Sequence, residues 1–393
     1  MRWLPMLPVS SVPPLRLVCS GVCWFKVGPR LILLERIPWN VHLKRDGEKD
    51  AFQVSGKENM IKALHGQELP DVVPRWELSF LLWHLYAERK VIVAGDFMAL
   101  PSAKQERALK QNAEVMIAVS EQLGFSGLTI PSNYWEMAPG IPARYWLPPE
   151  ARQQQLKELR KLSTDLFYIV GTGGVLCMPD AENYVEFSYK LFDDPGEIDH
   201  LSRKTCDRGM EQVRVWTDLG ADGFLTSSDQ ADNMGPFFNP EQRQRYINPF
   251  LKEWVDCVHS HGGYAILHTD GNIMPILNEI IDSGVDALQA LDPTAGVDLS
   301  EVKSRAGDRL TLCGNVDCGL ILTGSPQDVY ERSIETIRAG KPGGRFSFGA
   351  SNVVEPSARR ENFDAMNQAW LDAGKYESEL KPDIEARDKA HSR

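Results

Sequence analysis

Past residue 55, short apolar runs recur along the chain, each followed by a longer stretch in which apolar and charged residues share a helical period. Eight runs stand at 73–78, 127–131, 166–171, 223–228, 263–269, 287–291, 310–315 and 345–349. Their length and their β-branched and aromatic content predict buried strands. The gaps predict helices over 57–64, 105–123, 150–162, 195–219, 240–261, 273–283, 299–306, 326–339 and 360–373. Start signals precede several of these. Ser55 with Glu58 has the spacing of a capping box, and Asn239-Pro240-Glu241 and Ser325-Pro326 open two more. Several end on glycine, at Gly124, Gly220, Gly262, Gly284, Gly307, Gly340 and Gly374. Strict strand–helix alternation implies parallel strands with right-handed crossovers. Eight such units predict an α/β protein, a (β/α)8 TIM barrel, over residues 56–376 as one domain. An open doubly wound sheet fits less well, because no G-x-G-x-x-G follows the first run. Residues 377–393 read as a polar C-terminal tail.

The first 55 residues have a different pattern. They are apolar and basic, but Pro5, Pro8, Pro13 and Pro14 break the run and Arg16 follows. A secretory signal needs an unbroken apolar stretch of roughly 7–15 residues, and a membrane span about 20. The segment therefore reads as a poorly ordered N-terminal extension, or as sequence upstream of a misplaced start. Cys19 and Cys23 have no matching Cys/His pair nearby, which argues against a structural zinc site. Seven scattered cysteines suit free thiols in a reducing, cytoplasmic compartment.

Charge divides the chain at the same place. Of 393 residues with net charge −11, the first 55 carry 8 Lys/Arg against 4 Asp/Glu, and the remainder 35 against 50. The barrel is thus strongly acidic, which excludes a phosphate-backbone partner and predicts no nucleic-acid binding. No membrane association is expected either.

In a barrel of this kind, chemistry gathers at the C-terminal ends of the strands. There the sequence places Glu77, then Asn133 and Tyr134, then Asp229 and Asp232. Further on stand His268 and Asp270, then Asn315 and Asp317, then Ser351 and Asn352. His268-x-Asp270 is the most informative pair, since residues i and i+2 of a strand face the same side. The pair can ligate a divalent metal with Glu77 or Asp229 as third ligand, or act as a general base and its orienting carboxylate. A histidine bonded only to the Gly271 turn is the structural alternative. Gly171-Thr-Gly-Gly174 offers backbone N–H groups to an anion, although no P-loop lysine follows. Cys313 and Cys318 flank the seventh run and read chiefly as small buried hydrophobes.

Several stretches together resemble the uroporphyrinogen decarboxylase superfamily, which includes cobalamin-dependent methyltransferases. They are the segments 56–66 and Asp71–Glu77, then Met234–Pro240, His268-Thr-Asp-Gly-Asn272, Ser283–Asp286 and 302–308. Cys313-Gly-Asn-Val-Asp317, Gly343-Gly344 and Pro356 with Glu361-Asn362 complete the series. The resemblance implies a (β/α)8 barrel and an enzyme. Departures from the decarboxylase pattern bear on function. Glu77 stands in the region where decarboxylases carry an arginine-containing motif for substrate carboxylates. Ser132 or Asn133 stands where they place an aspartate, and Gly349-Ala350-Ser351 replaces their Gly-His-Gly. The methyltransferase branch holds zinc with His-x-Cys and a later cysteine. Here the pair is His268-x-Asp270, and no cysteine follows Cys318. The resemblance thus implies methyl or one-carbon transfer from a small methylated substrate to a corrinoid or thiol acceptor. A divalent metal such as zinc would sit on His268, Asp270 and Glu77, with His268, Asp270, Glu77 and Asp229 catalytic. The substrate would be bound by Asn133, Tyr134, Asp232, Asn315, Asp317, Ser351 and Asn352. A corrinoid protein is the implied partner, and a homodimer is an open expectation. The alternatives are decarboxylation of uroporphyrinogen or a smaller carboxylate, and a non-catalytic binding barrel.

Overall fold

The structure is a computed structural model, and it describes residues 25–27, 30–32, 56–66, 70–132, 145–306 and 308–376. Two units divide the chain, residues 1–48 and 49–393. In the first, Phe25–Val27 pairs antiparallel with Arg30–Ile32. Ser55, Asn133, Tyr134 and the tail 377–393 lie outside the described residues.

The larger unit is built on a seven-stranded sheet. We number its strands β1 (Gly127–Thr129), β2 (Phe167–Gly171), β3 (Gly223–Ser227), β4 (Tyr264–Thr269), β5 (Ala287–Ala290), β6 (Thr311–Val316) and β7 (Phe346–Ala350). They pair in chain order, each parallel to the next. Apart from the ends of β2, β3 and β4, every strand residue is buried, as the continuous apolar runs require. Seven of the eight expected strands appear within one residue or two of their predicted limits.

The first expected strand, 73–78, is not a regular strand. It forms single bridges to β7 at Arg75 and Phe348, and farther on at Phe80 and Val354. Yet it joins both edges of the sheet. Trp76 N–H donates to Phe348 O at 3.1 Å and Phe348 N–H to Pro74 O at 2.8 Å, while Ser126 N–H donates to Arg75 O at 2.8 Å. The barrel is thus closed through an irregular eighth stave. Pro74 has no N–H to donate, so a continuous ladder cannot form there.

Helices cover the outside, among them Ser102–Leu123, Pro149–Leu162, Pro195–Asp218, Pro326–Gly340 and Arg360–Ala373. Asn239 and Ser325 each complete a capping box, with Gln242 and Asp328. The expected helix 240–261 is two helices, Pro240–Tyr246 and Asn248–Ser260. Pro249 cannot donate to the carbonyl four residues back, and its ring crowds that carbonyl, so the axis breaks at Ile247. Four short helices escaped the periodicity: Trp83–Tyr86, Ala94–Met98, Tyr184–Asp193 and Cys318–Thr323.

The glycine run after β2 has a packing explanation. A Cβ on Gly174 would lie 2.3 Å from the Trp254 ring, and one on Gly209 would lie 2.4 Å from Gly174 Cα. The run therefore lets the helix Pro195–Asp218 press against the loop, backbone to backbone. Among the described residues no helix is long and apolar enough to cross a membrane.

Candidate metal centre

Strands β3 and β4 run side by side, with Ser227 in register with His268. Ser228 N–H donates to His268 O at 2.9 Å, which extends the pairing past the end of β3. The next residue, Asp229, thereby reaches the end of β4. Its Oδ1 accepts from Asp270 N–H at 2.9 Å. Gly271 then turns the chain at φ +83°, and a Cβ there would lie 2.3 Å from Ala231 O. Asn272 N–H donates to Asp232 O at 2.8 Å, tying the two loops together.

This arrangement gathers three donors. His268 Nε2 lies 3.7 Å from Asp229 Oδ1 and 3.7 Å from Asp270 Oδ2. One ligand atom from each of the three residues lies within 4.8 Å of the others, and no other such group of acids, histidines and cysteines occurs among the described residues. Two ligands each about 2.1 Å from a tetrahedral ion sit about 3.4 Å apart, so His268 stands within a few tenths of an ångström of that spacing from each acid. Burial and the neighbouring Asp229 push the Asp270 carboxyl up to about 6, against the pull of His268. Two carboxylates and an imidazole facing one another can share a cation, and they suit a borderline divalent ion such as zinc.

A second layer fixes these donors. His268 Nδ1 faces Gln289 Oε1 at 2.5 Å. Gln289 Nε2 donates to Ser351 O at 3.1 Å. Asn352 Nδ2 donates to Asp270 Oδ2 at 2.5 Å. The loop 350–352 after β7 therefore steers two of the three donors.

The cluster stands in a cavity of about 240 Å³. Its walls are Leu78, Ser79, Thr129, Ser132, Leu225, Ser227 and Asn352, with Asp229, His268 and Asp270. No lysine or arginine lines it among the described residues. Three protein donors in a reachable cavity leave further coordination positions for a substrate, the pattern of catalytic rather than structural metal sites.

The structure sorts the residues expected from the sequence by position. His268, Asp270, Asp229 and Asn352 come together. Glu77 is not in the cluster; Asp229 takes the place of the third ligand. Glu77 Oε2 instead accepts from Ala350 N–H at 2.8 Å, and Oε1 lies 3.9 Å from Arg75 Nη2. Burial pushes the Glu77 carboxyl up to about 7, against the opposing pull of Arg75. Asn315 Nδ2 donates to Leu291 O at 2.7 Å. Asp317 caps the helix Cys318–Thr323, and Asp232 accepts from Met234 and Gly235 N–H in a turn. Ser351 directs its hydroxyl to Cys318 Sγ at 3.6 Å and its carbonyl to Gln289. Burial pushes the Cys313 and Cys318 thiols up to about 12, which suits inert core residues. Among the wall hydroxyls, the sequence reading missed Ser79 and Thr129, and it missed Gln289. A lone glutamine in the apolar run Ala287–Ala290 was the available signal for the last.

Comparisons with known proteins agree with this architecture. The family model described as uroporphyrinogen decarboxylase (URO-D) matches residues 177–371, the stretch that carries β3 to β7 and all three donors. A uroporphyrinogen decarboxylase of Coxiella burnetii is 30% identical over 182 residues, 46% of this chain and 48% of that protein. The chloroplastic enzyme of Nicotiana tabacum is 25% identical over 185 residues, 47% of this chain and 45% of that protein. The chain thus spans about half the length of the curated relatives it matches. A solved methyltransferase from Methanosarcina mazei superposes with a TM-score of 0.58 at 16% identity, covering 81% of this chain and 99% of that one. That likeness shows a shared fold. Over residues 177–371 the chain is thus similar to the uroporphyrinogen decarboxylase family, and the barrel that carries that stretch shares the fold of the methyltransferase.

Proposed function

We propose that the protein is a metal-dependent enzyme that transfers a methyl or other one-carbon group from a small methylated substrate to a corrinoid, carried by a partner protein, or to a thiol. The observation that carries this reading is the Asp229–His268–Asp270 cluster in a cavity of about 240 Å³ that no lysine or arginine lines among the described residues. Decarboxylation of uroporphyrinogen is the competing reading, and the curated relatives favour it by name. An octacarboxylate, however, requires a basic pocket built from guanidinium forks. Among the described residues the walls are hydroxyls, leucines, acids, His268 and Asn352, and the cavity matches a molecule of modest size.

Asp229, His268 and Asp270 would hold the cation. A divalent ion bound there supplies Lewis-acid polarisation of a substrate donor atom. Gln289 and Asn352 hold the donors in place, so little reorganisation is required on binding. Ser79, Thr129, Ser132 and Ser227 offer hydrogen bonds that orient a small polar substrate. Leu78 and Leu225 exclude water on the remaining sides.

The reading is tested by metal analysis of the purified protein beside His268→Ala and Asp270→Ala, followed by assay of the zinc-loaded form. The expected result is about one divalent ion per chain, lost in both variants. With cob(I)alamin and a panel of small methylated amines, ethers and thioethers, methylcobalamin should form with at least one donor. Release of carbon dioxide from uroporphyrinogen without bound metal would establish the decarboxylase reading instead.

A further inference from the structure

We infer that Gln289 is a positioning residue that fixes the tautomer of His268, so that Nδ1 carries the proton and Nε2 turns its lone pair to Asp229 and Asp270. The metal-affinity part of this inference rests on the function proposed above, whereas the tautomer part rests on geometry alone.

Gln289 is 2% exposed and His268 6%, so water does not serve either side chain freely. The Gln289 amide has one face toward the loop after β7. There it meets the carbonyl oxygens of Ser351, at 3.1 Å, and Ala350, at 3.5 Å. Carbonyl oxygens only accept hydrogen bonds, so the amide NH2 must point at them. The amide oxygen is then directed at His268 Nδ1, 2.5 Å away. An amide oxygen only accepts, so Nδ1 must be the donor. The proton on Nδ1 is therefore dictated by two backbone carbonyls, relayed through one side chain.

The other ring nitrogen inherits the consequence. His268 Nε2 stands 3.7 Å from an oxygen of each acid. With Nδ1 protonated, neutral His268 offers Nε2 as a ligand in the direction where the two carboxylates converge. With the other tautomer, Nε2–H would point into that space and bar a cation. Ring orientation is held as well, because Gln289 lies on β5 in register with His268 on β4. The glutamine thus does for this centre what an orienting partner does for a metal-bound histidine, and such partners are worth about 10–100-fold in metal affinity.

The test compares the wild type with Gln289→Leu, which has no acceptor, and Gln289→Glu, which keeps one. Imidazole nitrogen NMR on the metal-free proteins at pH 8 reads the tautomer directly. The expected result is Nδ1–H for His268 in the wild type and in Gln289→Glu, and loss of that single state in Gln289→Leu. Zinc titration should then show about 10–100-fold weaker binding for Gln289→Leu, with most of the affinity restored in Gln289→Glu. Should Gln289→Leu fail to fold, the wild-type and Gln289→Glu spectra still decide the tautomer. A wild type with His268 in the Nε2–H form overturns the inference, and so does a folded Gln289→Leu that keeps Nδ1–H. If the wild type binds no zinc yet shows the Nδ1–H form that Gln289→Leu loses, the tautomer assignment holds and the metal-dependent function fails.

Discussion

Replacing Glu77 by glutamine removes one charge from the eighth stave of the barrel and keeps an oxygen to accept from Ala350 N–H. Two physical effects compete. The Arg75 guanidinium and the Glu77 carboxylate are 3.9 Å apart with both side chains buried, and their attraction at an effective dielectric near 20 is about 4 kcal/mol. Loss of that attraction argues for destabilisation, as when one member of a buried pair is removed. Desolvation of the carboxylate argues the other way. The pair is long rather than forked, and Arg75 Nη2 and Glu77 Oε1 make no hydrogen bond to the protein. Arg75 also has other support. Its Nη1 donates to Leu123 O at 2.7 Å and to Asn367, and the rings of Phe125, Phe348, Phe363 and Trp370 surround it at 5.3–5.8 Å.

The displacement of the Glu77 carboxyl from 4.5 to about 7 says that desolvation wins. The folded state then holds this proton more tightly than the unfolded state between those values. Its stability contribution is complete below about pH 4.5 and is lost as pH rises through about 7, at most about 3 kcal/mol at 1.36 kcal/mol per unit. Glutamine imitates the protonated acid at every pH and suffers no such loss. Urea unfolding followed by tryptophan fluorescence should therefore give nearly equal stability at pH 5. At pH 8 it should show Glu77→Gln more stable by up to about 3 kcal/mol. A variant less stable than wild type at pH 8 by more than about 1 kcal/mol would instead make the pair a net stabilising bridge, with attraction outweighing desolvation.

Other expectations concern the cluster and its supports. Asp229→Asn should weaken zinc binding at least about tenfold by calorimetry while leaving the fold intact, and unchanged affinity would remove Asp229 from the ligand set. Because the Asp270 carboxyl is raised to about 6, a proton competes with the cation below that pH. Zinc affinity should fall between pH 7 and pH 5 by roughly tenfold or more, and a flat profile would count against Asp270 as a ligand. Gly209→Ala should cost about 1–3 kcal/mol by thermal unfolding, since its methyl would meet the Gly174 backbone at 2.4 Å. A variant as stable as wild type would show that the loop after β2 yields easily.

The fold was legible because burial on both faces leaves an unmistakable trace. The runs that became β1 to β7 are continuous apolar segments, and parallel pairing follows from the helices between them. The eighth stave differs in composition as well as in hydrogen bonding. Pro74, Arg75 and Glu77 interrupt its apolar run, and the donor missing at Pro74 was a visible warning against a regular strand. His268 and Asp270 were legible for a local reason, as neighbours on one face of one strand end. Asp229 could be named only as one of two alternatives for the third ligand. Choosing it over Glu77 depends on the register of β3 against β4, which a linear pattern does not encode. Asn315, Asp317 and Asp232 share the polar, strand-end character of true site residues. Their hydrogen bonds close on their own turns and neighbouring backbone, and only geometry separates a cap from a ligand.

The loop 350–352 links the irregular stave to the metal centre. Three residues from three different staves end there: Glu77 on Ala350 N–H, Gln289 on the carbonyls of Ala350 and Ser351, and Asp270 through Asn352. One loop thus both receives the Glu77 carboxyl on its backbone and, through its carbonyls and the Asn352 side chain, meets the supports of two of the three donors. Glu77 therefore reaches the cluster only by way of the loop, although the sequence placed it among the expected ligands. The loop's amide is held by a carboxyl whose ionised form costs stability. Such a group is easier to understand where a fixed backbone position is worth more to the site than the stability forgone.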